Sequence, residues 1–342
     1  MPNRHRDVAS VCRAAHSTPH PGAFFLWMIA LTGLFSASCQ RAATCSAPES
    51  ADRLSAEVCI PAGTFRMGHP PLPKPFVEPG VAYAQMPFND WAPEHEVTLP
   101  QFFIDKYEVT WGRYLACVEA GICSTRGLER HPTTAAALRN PDLADRPADR
   151  ITYAEASLFC PWSGRRLPTE AEWERVARGG EARDYPWGNQ APTEELLKAG
   201  SSSPVGSHVE DVSVDGAFDL FGNAREWVSD WYGPFYYAES PLNSPTGPPG
   251  PVFVEQVHEY GGGTFVGASG GRLIRGYRWN RAGGRAWDVD ALGAPVWFRK
   301  PEDATFGGGF RCARDAVPPE RSSNLYRAVK WNALAVRDGG QR

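Results

Sequence analysis

The chain has no basic excess: 35 Lys and Arg face 39 Asp and Glu, a net charge of -4. Without a general positive field to neutralise phosphates, a nucleic-acid partner is excluded. No C-x-x-C pair occurs, which argues against a thiol-bound metal. Past residue 39 the histidines are His69, His95, His131, His208 and His258, none in His-x-x-x-His or facial-triad spacing. A zinc or non-haem iron site would therefore need assembly over long range. There is no phosphate loop, since Gly261-Gly262-Gly263-Thr264 lacks a lysine at the required spacing. No internal repeat is evident, and no cysteine lies between Cys160 and Cys312.

What is present is glycine, proline and tryptophan. The 342 residues include 34 Gly, 31 Pro and 12 Trp, with 42% hydrophobic residues. That is enough apolar material for a core, and it suggests a loop-rich fold pinned by aromatic anchors. Arg4, Arg6 and Arg13 precede a short apolar run, Ala23 to Phe35, and small residues follow at Ser36-Ala37-Ser38. This pattern suits a signal peptide over residues 1–39, and the run is too short for a comfortable membrane span. Cys39 stands where a bacterial lipoprotein carries its lipid, although Ser36 replaces the usual Leu. Localisation to the bacterial cell envelope is expected, as a periplasmic protein or a tethered lipoprotein, with the membrane engaged only through a lipid or leader anchor.

Export makes disulfides the default use of thiols. With Cys12 in the leader and Cys39 lipidated, six cysteines remain: Cys45, Cys59, Cys117, Cys123, Cys160 and Cys312. Cys117 and Cys123 flank an expected helix end, where a local bridge is plausible. Reduced, metal-binding thiols are the alternative.

Residues 40–56 read as a polar tether, 57–317 as one compact domain and 318–342 as a C-terminal tail. Cys59 to Met67 is expected to form one strand and Glu96 to Ile104 another. Thr110, Thr152 and Thr169 are candidate N-caps of short helices. Glu155 and Glu172 complete capping-box patterns at the second and third. Arg175 and Arg178 lie near the third helix's end, as the macrodipole favours. Residues 240–271, crowded with Pro and Gly, read as a long excursion.

Three strings carry the specificity: Gly164 to Glu174 (GRRLPTEAEWE), Phe218 to Val228 (FDLFGNAREWV) and Gly309-Phe310-Arg311-Cys312. Ile60 to Gly68 (IPAGTFRMG), Asp105 to Thr110 (DKYEVT), Tyr185 to Asn189 (YPWGN) and Pro204-Val205-Gly206 add to the ordered series. Together they resemble the formylglycine-generating, sulfatase-modifying family over most of the chain past the leader. The resemblance implies an α+β, C-type-lectin-like fold, loop-rich, with short strands and a few short helices. It also implies a Cys160–Cys312 disulfide, which leaves Cys45 with Cys59.

The second string resembles a family calcium site of two side chains and two carbonyls, falling on Asp219, Gly222, Ala224 and Glu226. Calcium favours such hard oxygens, and Gly222 permits a tight loop; the alternative is a turn with Glu226 bonded to backbone amides. A second calcium is not expected, because residues 194–203 are not rich in Asn.

The family's enzymes hold copper(I) on two thiolates shortly after a segment matched here by Arg275 to Arg281. The thiolate positions fall at Arg281 and near Ala286, and Tyr277 and Arg278 replace a glycine and a serine. Guanidinium only donates and cannot hold a soft cation, so copper is not expected. Arg272, Arg275, Arg278, Arg281 and Arg285 instead cluster within fourteen residues. Arg225 stands where the family has an aromatic. These arginines, with Trp279, can bind carboxylate, sulfate or phosphate, or pair with acids such as Asp288 and Asp290.

The functional expectation is a non-catalytic binding or accessory module for a peptide, an anionic glycan or another exported protein. The alternative is an oxidoreductase generating formylglycine, or a related oxidation, through unusual ligands.

Overall fold

The computed structural model describes residues 45–70, 91–126, 128, 135, 138–193, 196, 203–233, 235–252, 255–260, 263–268, 272–275, 300–302 and 307–316. Proline cuts the two expected strands into four. β1 (Glu57–Ile60) and β2 (Gly63–Met67) part at Pro61, and β3 (His95–Leu99) and β4 (Phe102–Asp105) part at Pro100. A proline has no N–H to give a ladder, so the apolar run continues while the strand does not.

β4 is the middle strand of a three-stranded sheet and all four of its side chains are buried. It pairs antiparallel with β1 (Val58 opposite Ile104) and with β11, Ala313–Asp315 (Ala313 opposite Ile104). β2 and β3 form a separate ladder with Phe65 opposite Val97. A four-stranded sheet is built around β5 (Glu226–Trp231). β10 (Gly309–Phe310) lies parallel to β5, and β8 (Arg272–Arg275) lies antiparallel to it. β9 (Lys300–Glu302) pairs with the far side of β8. β6 (Glu255–Tyr260) and β7 (Gly263–Ala268) pair antiparallel, so the stretch read as an excursion contains two paired strands.

The helices begin where the threonines place them. In α1 (Trp111–Glu119) the Thr110 hydroxyl accepts from the Arg113 N–H, and Gly121 beyond the end takes the left-handed conformation, φ 73°. In α2 (Tyr153–Trp162) Thr152 caps as expected, but the Glu155 carboxylate does not return to the cap. It accepts from Tyr114 Oη at 3.0 Å and Ser124 N at 3.0 Å, joining α2 to the end of α1. α3 (Glu170–Arg178) closes the full box between Thr169 and Glu172. A single turn, α4 (Tyr236–Glu239), follows β5.

Two aromatic-rich cores result. One gathers Ile60, Phe65, Val97, Ile104, Trp173 and Phe221; the other gathers Trp111, Tyr114, Phe159, Trp227, Ile274 and Phe310. Disulfides join Cys45–Cys59, Cys117–Cys123 and Cys160–Cys312, the last two lying within the second core. The first disulfide corrects the tether. From Cys45 onward the chain is fastened to the domain, by that bond and by Arg113 and Arg165 donating to the Leu54 and Ser55 carbonyls. Among the described residues no helix is long and apolar enough to cross a membrane.

Candidate functional site: a buried acid cluster and the end of strand β8

The 218–226 loop leads into β5 and is held by acids from three parts of the chain. Its left-handed residues are Asp219 (φ 59°) and Asn223 (φ 65°), so the tight turning expected of Gly222 is done on either side of it. Glu108 accepts from Ala224 N at 2.8 Å and from Asn223 Nδ2 at 2.6 Å. Asp211 accepts from Phe221 N at 3.1 Å and Gly222 N at 2.9 Å. Asp219 Oδ2 accepts from Gly206 N at 2.6 Å, while its buried Oδ1 has no partner among the described residues.

Arg311, wholly buried, is the counter-charge. Its Nη2 and Nε meet Glu226 Oε1 and Oε2 at 2.6 and 2.7 Å, and Nη2 also donates to the Phe218 carbonyl at 2.7 Å. Burial tends to lower its pKa, but Glu226 and the other acids more than offset that and raise it. Four buried carboxylates around one guanidinium leave a surplus of negative charge. Burial, then the neighbouring Asp211, pushes Asp219 up to about 7. Burial pushes Asp211 up to about 6. Burial, followed by repulsion from Asp219 and Glu226, raises Glu108 as well.

The structure places the two expected calcium-binding side chains, Asp219 and Glu226, in different surroundings. Among the described residues no three His, Cys, Asp and Glu side chains converge as a metal site; half of the expected set is main-chain carbonyl. The orphaned Asp219 Oδ1 and the surplus charge suit a hard cation. Glu226 is not the free ligand the sequence suggested. Arg311 takes both its oxygens and Trp173 Nε1 donates to Oε2 at 2.9 Å, filling three of about four acceptor sites. Only Oε1 keeps capacity for an ion. Among the described residues no backbone amide donates to the Glu226 side chain, which the alternative reading had expected.

Arg275 is corrected more sharply. It ends β8 wholly buried, donating to Glu170 Oε1 at 2.7 Å and Glu174 Oε2 at 2.8 Å. Glu174 in turn accepts from Arg178 at 2.8 Å and from Gly68 N at 2.7 Å, and Tyr237 Oη donates to both acids at 3.1 Å. Burial opposes ionisation of Glu174, yet Arg275 and Arg178 win and hold it down to about 2. An arginine so enclosed has no face for a ligand. Its partners among the described residues are acids about a hundred residues upstream, while Asp288 and Asp290 lie outside the described residues. Arg272, on the same strand, lies between the rings of Trp231 (3.5 Å) and Tyr153 (4.1 Å) and donates to the Ser229 carbonyl.

Arg225 is half-buried where the loop enters β5, and its carbonyl accepts from Gly309 N at 2.7 Å. Arg278, Trp279, Arg281, Arg285 and Cys39 lie outside the described residues. Sequence reasoning missed two buried polar clusters, one holding Glu108, Asp211 and Arg311 and the other Glu170 and Glu174. A signal existed on α3, where Glu170, Glu174 and Arg178 recur every four residues and so share a face.

A loop-rich α+β fold of short strands, with this acid-lined loop before β5 and a Gly-Phe-Arg-Cys strand beside it, defines the formylglycine-generating class. Residues 43–316 match the family of the sulfatase-modifying factor enzyme 1-like domain, and the chain belongs to that family. The formylglycine-generating enzyme of Streptomyces coelicolor is 28% identical over 317 residues, covering 76% of this chain and 89% of that protein. The hercynine oxygenase of Mycolicibacterium thermoresistibile is 32% identical over 244 residues, 60% and 50% of the two chains. The serine/threonine-protein kinase Pkn1 of Chlamydia trachomatis is 30% identical over 241 residues, 66% of this chain but 35% of that protein. The chain thus spans half or less of the last two. Treponema denticola variable protein 1 shares the fold at a TM-score of 0.51 and 19% identity, covering 80% and 99%.

Proposed function

We propose that this chain is an exported, non-catalytic binding or accessory member of its family. The observation that supports this most is the fate of its thiols. Six of the eight cysteines are consumed in three disulfides, and the other two, Cys12 and Cys39, belong to the expected leader. Copper(I) selects sulfur ligands. The positions that the resemblance assigns to them hold Arg281 and, nearby, Ala286. Three disulfides also suit an oxidising compartment, which favours export and a place in the bacterial envelope.

The ligand would be an anion held by guanidinium groups, such as the carboxylates of a peptide, an acidic glycan or a patch on another exported protein. Arg278, Arg281 and Arg285, with Trp279 and Arg225, make up the site; Arg275 does not. One calcium ion at Asp219, with the Gly222 and Ala224 carbonyls and a single Glu226 oxygen, would relieve the surplus charge and stiffen the loop. Its part is structural.

The test is copper(I) titration of the exported, oxidised protein, followed by incubation of a cysteine peptide with oxygen. Neither copper binding nor peptide oxidation is expected. Sub-micromolar copper binding with oxygen-dependent loss of the peptide thiol overturns the proposal in favour of an oxidoreductase, the activity that the names of two relatives describe.

A further inference from the structure

A cleft of about 480 Å³ opens beside the start of α3, away from the acid cluster. Leu99, Pro100, Leu167 and Pro245 give it apolar walls, and Arg166 and Asp315 stand at its polar end. Arg166 is already answered twice. Its Nη1 and Nη2 meet the two Glu172 oxygens at 2.7 Å each, and its Nη2 and Nε meet Asp315 Oδ1 at 2.5 and 3.2 Å. Glu172 Oε2 also accepts from Thr169 N, which completes the helix cap. Two carboxylates on one guanidinium leave that end of the cleft with one net negative charge. The oxygen carrying it to solvent is Asp315 Oδ2, which has no partner among the described residues, on a side chain 42% exposed. Within the lining, the buried Ser157 hydroxyl likewise has no partner among the described residues.

We propose that this cleft is a second binding site, for an aliphatic cation: the side chain of a lysine or arginine in a peptide partner. The volume suits a long side chain and its flanking peptide. A methylene stem packs on the leucine and proline walls while its charged head reaches the open Asp315 oxygen, a charge-assisted hydrogen bond. The preference is opposite in sign to that of the arginine-lined surface, and it does not depend on the thiol argument.

The experiment is backbone-amide NMR of the oxidised protein, titrated with N-acetyl-lysine methylamide and with the uncharged N-acetyl-norleucine methylamide. The lysine probe is expected to shift Ser157, Leu167 and Thr246 with a Kd of about a millimolar, and norleucine to bind roughly tenfold more weakly. Asp315→Asn, at a half-exposed site where Arg166 keeps Glu172, should weaken the lysine probe about tenfold without lowering Tm appreciably. Ser157→Leu, which fills the cleft, should abolish both sets of shifts. Equal affinity for the two probes, an undiminished lysine response in Asp315→Asn, or shifts that survive Ser157→Leu would each overturn the proposal, as would no response to lysine at all.

Discussion

Glu226 and Arg311 meet through two parallel contacts, 2.6 and 2.7 Å, with both side chains buried. Glu226 begins β5 and Arg311 follows β10, so the pair ties the two strands together beside the 218–226 loop. Removing one partner of a buried ion pair leaves an uncompensated charge, at a cost of about 3–5 kcal/mol. Glu226→Gln should therefore lose about that much in urea denaturation in chelator, and more in calcium, where the substitution also weakens a ligand of the ion. A loss confined to calcium would return Glu226 to a purely metal-binding role.

Asp219 should behave differently. Its Oδ1 has no protein partner among the described residues and its other oxygen is held by Gly206 N. Calcium at one hundred times its Kd stabilises a folded protein by about 2.7 kcal/mol. The wild type should show a rise in Tm on adding calcium, and Asp219→Asn should show none, whatever its own baseline. A rise that persists in Asp219→Asn moves the ion elsewhere.

The contrast between these two residues marks how far the sequence could be read. Helix starts were legible because capping is local: Thr110, Thr152 and Thr169 each accept from an N–H three residues on. Strand ends were less so, since hydrophobic pattern continued across Pro61 and Pro100 and outvoted the breakers. The buried charges were illegible in detail. Glu108 holds Asn223 across 115 residues and Arg275 reaches Glu170 across 105, and nothing in the neighbouring residues announces such partners. The arginine run looked like a surface because spacing reports proximity along the chain. Arg275 sits inside because α3 presents two acids to it.

The disulfides differ in what they constrain. Cys160–Cys312 spans 152 residues and Cys117–Cys123 spans 6. By the chain-entropy argument the long bridge contributes about 5 kcal/mol and the short one about 2. The double variant Cys160→Ala/Cys312→Ala should therefore denature at much lower urea than Cys117→Ala/Cys123→Ala. Equal losses would mean that core packing around the sulfurs, not chain restriction, sets their contribution.

Asp230 gives a pH dependence free of the calcium question. It is buried on β5, with Oδ2 accepting from Glu170 N at 2.9 Å and Ser229 Oγ at 3.0 Å. Burial, and next the charge of Glu170, raise its pKa from 3.8 to about 7. Between those values the folded state binds the proton and the unfolded state does not, so this group makes stability fall as pH rises. Below the window both states are protonated, and above it both are ionised and the penalty is complete. The slope approaches about 1.4 kcal/mol per pH unit within the window. Asp230→Asn keeps an acceptor for Glu170 N but cannot ionise. Its stability relative to wild type should climb from pH 4.5 toward 7 and then level off, as followed by urea denaturation at each pH. A difference that stays flat across that range would mean Asp230 ionises in the fold as readily as in the unfolded chain, and that water or a cation reaches it.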